Sequence, residues 1–139
     1  MRRGFELSYA AFNRRDWELN TLLLDRGDYV FHAADLSELL PDASERYHGI
    51  AGYLEAMSLF LESWSELEVE LVNLLELSPV RAVTLMHFKG RGRRSGAPFE
   101  RLALGDHIFR EGLCVNQSYW WDSQRGAREL GLQLPSTRR

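Results

Sequence analysis

The chain has 139 residues, an apolar share of 45% and a net charge of −3. That length builds one core rather than two, and the acidic balance argues against a nucleic-acid binder, which needs a basic face to displace counterions. Cys114 is the only cysteine, so an internal disulfide and a thiolate metal site are excluded.

Phe5, Tyr9 and Phe12, spaced four and three apart, predict one face of a first helix. The aromatic content, seven Phe, five Tyr and four Trp, calls for an aromatic core or pocket. MRRGFELSYAAF breaks its apolar run at Glu6, Ser8 and Asn13, unlike a signal peptide. No run reaches the ~18 apolar residues of a membrane helix, so no membrane partner and a cytoplasmic location are expected. Asp16 is placed to cap a second helix running from Trp17 through Leu22 to Leu24. Tyr29 to Ala33 reads as a short strand. Residues 34–47 are polar, contain Pro41 and have no period, which predicts a loop acting as a flap over a pocket.

Ile50, Leu54, Met57, Leu61 and Trp64 form one stripe, so a third helix is expected to carry Tyr53 and Trp64. From residue 66 the period becomes 2, with Glu66, Glu68 and Glu70 alternating with Leu67, Val69 and Leu71. Strands are then expected over Val80–Arg91, Phe99–Phe109 and Leu113–Trp121. Asp122 caps a final short helix that Gly131 stops, and residues 133–139 are expected to be a flexible tail. The order implies one α+β domain over residues 1–139, with helices followed by a four-strand antiparallel meander.

Arg110-Glu111-Gly112 fits a three-residue hairpin loop with Gly112 left-handed. Phe109 would then face Leu113, and His107 would face Val115. Ala103, Gly105 and His107 share a face with Val115, Gln117, Tyr119 and Trp121. The other face carries Leu102, Leu104, Asp106 and Ile108 with Cys114, Asn116, Ser118 and Trp120. Both faces are apolar enough to be buried, so periodicity leaves the choice between them open.

Four segments in order, AFNRRDWELNTLLLD (11–25), YHGIAGYLEAM (47–57), KGRGRRSG (89–96) and FREGLCVNQSYWWD with LGL (109–132), resemble the SnoaL-like branch of the nuclear-transport-factor-2-like superfamily. The resemblance implies a cone-shaped antiparallel sheet curled around a pocket, packed on three N-terminal helices and closed by a short C-terminal helix. Trp121 falls where the similar steroid isomerases carry a pocket aromatic, which implies that His107, Gln117, Tyr119 and Trp121 point inward. Tyr53 and Trp64 join them as ligand contacts, as does His87, whose facing is undecided. The opposite face, with Leu102, Leu104, Ile108 and Trp120, becomes an exposed apolar patch and the expected homodimer surface.

Enzymes of this superfamily work through acid–base groups held in an apolar cone. His32 lies close to the isomerases' general base, although a one-residue slip puts Ala33 there, and Asp35 at the expected mouth would orient it. His107 with Tyr119 would donate to a carbonyl or enolate oxygen, or the two simply satisfy each other. His48, opening the third helix, reads as fixing a turn. Gly105 stands where the isomerases carry a buried acid, so their mechanism is not expected unchanged.

No two histidines have the i, i+4 spacing of HExxH, GRGRRSG reads as a hairpin, and no nucleophile motif occurs, so neither metal nor cofactor is expected. Three readings follow. One is a pocket for a small apolar ligand bearing a carbonyl or hydroxyl, with isomerase, cyclase or hydratase chemistry; another is the same pocket without catalysis. The third is a dimerisation or scaffold module whose cone is plugged by Tyr53, Trp64 and Trp121. A cavity of a few hundred Å³ with convergent polar groups separates the first two from the third.

Overall fold

Helix α1 (Arg2–Asn13) buries Phe5, Tyr9, Ala11 and Phe12, the face that their spacing marks out. The computed structural model describes residues 1–35, 38, 40 and 43–134. Asp16 caps α2 (Trp17–Asn20) by accepting the Leu19 N–H at 3.1 Å. This helix stops earlier than the leucine run suggests. Cys114 N–H donates to the Leu23 carbonyl and Asp25 N–H to the Cys114 carbonyl, so the leucines run beside a strand, with Leu22 and Leu23 exposed.

The remaining elements are β1 (Val30–Ala33), β2 (Arg46–His48), α3 (Gly49–Leu61), β3 (Trp64–Ser78), β4 (Arg81–Gly92), β5 (Pro98–Arg110), β6 (Leu113–Trp120) and α4 (Ser123–Leu130). They build an α+β fold around one six-stranded, curled and unclosed sheet of order β2-β1-β6-β5-β4-β3. Strands β3 to β6 form the expected antiparallel meander, with Leu67 and Val69 buried and Glu66, Glu68 and Glu70 exposed. The sheet is mixed rather than wholly antiparallel. β1 lies parallel to β6, with Phe31 opposite Gln117 and Ala33 opposite Tyr119, and β2 pairs antiparallel to β1. Arg46 and Tyr47, expected in the loop, and His48, expected to open the third helix, therefore belong to a strand. The flap reading of that loop falls partly on residues 36, 37, 39, 41 and 42, which lie outside the described residues.

Helix α3 ends at Leu61, and Trp64 opens β3 instead of extending the helix. Its buried positions are Tyr53, Ala56 and Phe60, while the expected stripe of Ile50, Leu54, Met57 and Leu61 packs against the same core from the flank. A curled sheet touches more than one side of a helix laid in it, so the apolar arc is wide.

The β5–β6 hairpin turns on two residues, not three. Glu111 (φ 54°) and Gly112 (φ 81°) are both left-handed, and Arg110 faces Leu113. A bulge then shifts the register between Ile108 and Phe109, so that Phe109 faces Cys114 and Ile108 faces Asn116. The shift restores the parity of a three-residue loop. His107 therefore faces Gln117 rather than Val115, yet Ala103, Gly105, His107, Gln117 and Tyr119 share one face as expected.

The outer sheet face is not the bare patch that the sequence suggested. Leu104 is fully buried and Trp120 nearly so, because α4 lies on them; a Cβ on Gly126 would come within 2.9 Å of both side chains. Leu130, Leu132, Leu134 and Ala34 pack on the same cluster. Leu102 is half-buried and only Ile108 of the expected dimer residues is exposed, which removes the reason for placing a homodimer there. Leu134, expected in a flexible tail, packs on that face, and residues 135–139 lie outside the described residues.

Asp122 caps α4 by accepting the Gln124 and Arg125 N–H groups, and Gly131 stops it at φ 70°. Asp122→Ala is expected to cost about 1 kcal/mol, read as a lower urea midpoint. Among the described residues no helix is long and apolar enough to cross a membrane.

Candidate ligand pocket

The concave sheet face and the helices laid in it enclose a cavity of about 480 Å³. Its walls are mostly apolar. Phe60, Phe88 and Trp121 crowd one end, with ring centroids 5.1–6.1 Å apart. The exposed lining residues, Met1, Leu23, Pro79, Val80 and Gly112, all lie at the opposite end. Among the described residues the exposed lining is thus at the start of α1 and the β3–β4 turn, while Asp35 is buried. Between the ends stand the polar side chains Tyr9, Tyr53, Gln117 and Tyr119.

Tyr9, Gln117 and Tyr53 belong to two buried hydrogen-bonded groups behind the cavity wall. Tyr29 donates to Gln117 Oε1 (2.5 Å), and the Gln117 amide donates to His107 Nδ1 (3.0 Å). With Nδ1 accepting, the ring proton sits on Nε2 and is donated to Thr84 Oγ1 (2.8 Å), which also accepts from Tyr9 (3.2 Å). A second group links Tyr53 to Asn20 Oδ1 (2.8 Å), and the Asn20 amide to Ser8. Low dielectric strengthens such chains and makes any unmatched member costly.

Burial sets the protonation states. It drives the His107 pKa from 6.5 down to about 3, so the imidazole is neutral and has no free lone pair for a substrate proton. Burial raises the phenols of Tyr9, Tyr29, Tyr53 and Tyr119, the Tyr9 shift being opposed by hydrogen bonds with Thr84 and Tyr119. It also pushes the Cys114 thiol up to about 12, leaving a neutral, poorly nucleophilic sulfur. Tyr119 is partly accessible although its ring is enclosed, because its free surface fronts the cavity. The site therefore offers neutral hydrogen-bond donors, and the carboxylate in its described lining is that of Asp35.

Tyr53, Gln117, Tyr119 and Trp121 line the cavity as expected. His107 stands behind the wall with its ring 5.5 Å from that of Tyr119, edge to face, so the two do not bond each other. His32 does not face inward. In β1 it is Phe31 and Ala33 that point into the core, and His32 turns out to meet Glu45 at 3.3 Å. Asp35 is buried, and its two oxygens accept the Trp121 and Asp122 N–H groups at 2.7 and 2.9 Å. It fixes Trp121 and the start of α4 and does not orient His32.

His87 lies on the outer face between Glu70 and Glu100, at 3.5 and 3.6 Å, because its neighbours Met86 and Phe88 take the inner positions. Trp64 backs the aromatic end, stacked on Phe99 with centroids 4.3 Å apart, and does not line the cavity. His48 precedes α3 at its N-cap position. Sequence reasoning missed Tyr9, Tyr29 and Thr84. Thr84 carried a signal, since it is the lone polar residue among the inward Ala82, Thr84 and Met86.

No protein-family model matches the chain, and no curated protein sequence matches it. Solved structures do match its fold. An NTF2-like protein of unknown function from Burkholderia pseudomallei superposes with a TM-score of 0.75 at 19% identity, over 91% of this chain and 93% of that one. TerC crystallised with polyporic acid gives 0.76 at 17% identity, over 92% and 95%. IdmH from Streptomyces antibioticus, described as a proposed polyketide cyclase, gives 0.69 at 19% identity, over 85% and 88%. At these identities the likeness is one of fold, and the chain has the cone-shaped α+β fold of the NTF2-like proteins.

Proposed function

We propose that this protein binds a small, mostly apolar molecule bearing a carbonyl or hydroxyl oxygen. The observation that carries the reading is the cavity of about 480 Å³, apolar along its walls and furnished at mid-height with neutral tyrosines and Gln117. Apolar walls supply affinity, and a few placed donors supply orientation. Polyporic acid in TerC and the cyclase description of IdmH are consistent with such a pocket in this fold.

Binding without proton transfer is the version the geometry favours. His107 is neutral and engaged through both ring nitrogens, and His32 and Asp35 are committed elsewhere. Isomerase, cyclase or hydratase chemistry would have to run on neutral phenols as donors alone. The plugged-cone scaffold fits poorly, since Tyr53, Trp64 and Trp121 leave the space open.

A thermal-shift screen against steroid-, polyketide-, terpene- and fatty-acyl-like compounds tests the reading. A ligand at about a hundred times its Kd should add roughly 2.7 kcal/mol, a shift on the order of 10 °C. Trp121→Ala should abolish the response, Tyr119→Phe should weaken binding about tenfold, and His32→Ala should leave it unchanged. A panel that shifts nothing, or a response indifferent to Trp121→Ala, would refute the pocket.

A further inference from the structure

The cavity is long for its volume. Its lining runs from Val80, just before β4, along that strand to Phe88, along β5 from Ala103 to Phe109, and along β6 and the next residue from Cys114 to Trp121. At about 3.3 Å per residue those stretches measure roughly 26, 20 and 23 Å. A sphere of about 480 Å³ is only roughly 10 Å across, so a lining that runs this far along three strands fits a space drawn out along them better than a round one.

Polarity varies along this axis. The aromatic end offers Phe60, Phe88 and Trp121, and the open end offers Met1, Leu23 and Val80. The polar side chains sit between. Tyr119 and Gln117 lie level with Gly105 and His107 in the register, and Tyr9 reaches the same level by bonding Thr84, which faces Gly105. Among the described residues Asp35 is the one carboxylate in the lining, each of its oxygens already accepts a backbone N–H group, and no Lys or Arg lines the cavity, so an anionic group lodged deep in it would find no counterion there.

Resting on the pocket reading above, we infer that the ligand is an uncharged, elongate molecule with its carbonyl or hydroxyl in mid-length and apolar arms on both sides. It enters past Met1, Leu23 and Val80, places one arm against Phe60, Phe88 and Trp121, and presents its oxygen to the Tyr119 phenol. A compact fused-ring ketone would fill the middle of the cavity and leave both arms empty.

Symmetrical dialkyl ketones of increasing length, set against fused-ring ketones of equal carbon number, give the test by titration calorimetry on the intact protein. Affinity for the linear series should rise about fourfold per buried methylene until the cavity is filled, then level off. Val80→Asp, at an exposed rim position, should weaken the longer ketones and spare the shorter ones. Tyr119→Phe should weaken all of them by a similar factor, about tenfold. Tighter binding of the fused-ring ketones, or no dependence on chain length, overturns the elongate ligand and leaves the pocket standing. Silence from both series overturns the two together.

Discussion

Lowering the pH from about 6.5 to 4 should cost this protein about 3 kcal/mol of stability through His107 alone, near the 1.4 kcal/mol per pH unit that one linked proton gives. In the folded state burial holds the His107 pKa near 3, whereas in the unfolded chain it returns to about 6.5. Between those values the unfolded state binds the proton and the folded state does not, so stability rises with pH and falls on acidification. The loss begins near the unfolded pKa and is complete only near the folded one.

The hydrogen-bond chain adds to this resistance. A proton on Nδ1 would meet the Gln117 amide, already donating there, and turning that amide would take the acceptor away from Tyr29. The groups against the ring are Phe5, Thr84, Gln117 and Tyr119, none of which supplies a negative charge. Asp106, the adjacent carboxylate in sequence, bonds Arg81.

Urea midpoints measured from pH 7 to 4 would show the slope. His107→Gln, whose amide can still accept from Gln117 and donate to Thr84, should be less stable at pH 7 by about 2 kcal/mol but nearly flat over this range. Both proteins carry the same carboxylates, so their share of the slope cancels in the comparison and the difference reports His107. Equal slopes in the two proteins would mean that His107 is already charged in the fold, and the neutral-donor description of the site would fall with it.

Local chemistry was legible in the sequence and long-range pairing was not. The β3 alternation, the Asp16 and Asp122 caps and the Gly131 stop are written within a few residues of where they act, and each forms as read. The partner of β1 is not local. Its pairing with β6 joins residues more than eighty positions apart, and no turn sequence announces a parallel neighbour. The face of His32 hung on a one-residue count that a four-residue strand cannot fix, and Phe31 and Ala33 took the core. The inner face of β5 and β6 was read correctly beyond the bulge, at His107, Gln117 and Tyr119, because the bulge added back the residue that the shorter loop removed; before it the faces were exchanged, and Cys114 rather than Val115 lines the cavity. The outer face misled for another reason: its apolar residues are covered by α4 and the segment after it, and strand periodicity says nothing about what covers a face. Polar residues of the cavity were found where they lay on strands already assigned inward, and missed where, like Tyr9 and Tyr29, they came from elements read only for packing.

Gly105→Ala should cost about 3 kcal/mol, and it should damage the cavity as well as the fold. The added methyl would stand 2.7 Å from His107 Nε2, 2.8 Å from Thr84 Oγ1 and 2.8 Å from a Tyr119 ring carbon. It would lodge between an imidazole and a hydroxyl that are bonded to each other at 2.8 Å. His107 is fully buried and cannot retreat, so relief requires breaking that bond, moving Tyr119 toward the cavity, or both. Overpacking of this kind costs 1–3 kcal/mol, and an orphaned buried donor adds a comparable amount, so about 3 kcal/mol is a central figure. The same contacts leave no room for a larger side chain at this position, where the resemblance to the steroid isomerases would put an acid: the space is already taken by the His107–Thr84 pair and the Tyr119 ring. A denaturant melt of Gly105→Ala beside a titration with a ligand found in the screen would separate the two effects. Reduced stability with weakened binding is expected, because the displaced tyrosine is one that lines the cavity. An alanine tolerated within about 0.5 kcal/mol would mean that the His107–Thr84 bond is not held as tightly as its 2.8 Å length implies, and the site would then have room for the very acid whose absence argues against proton chemistry.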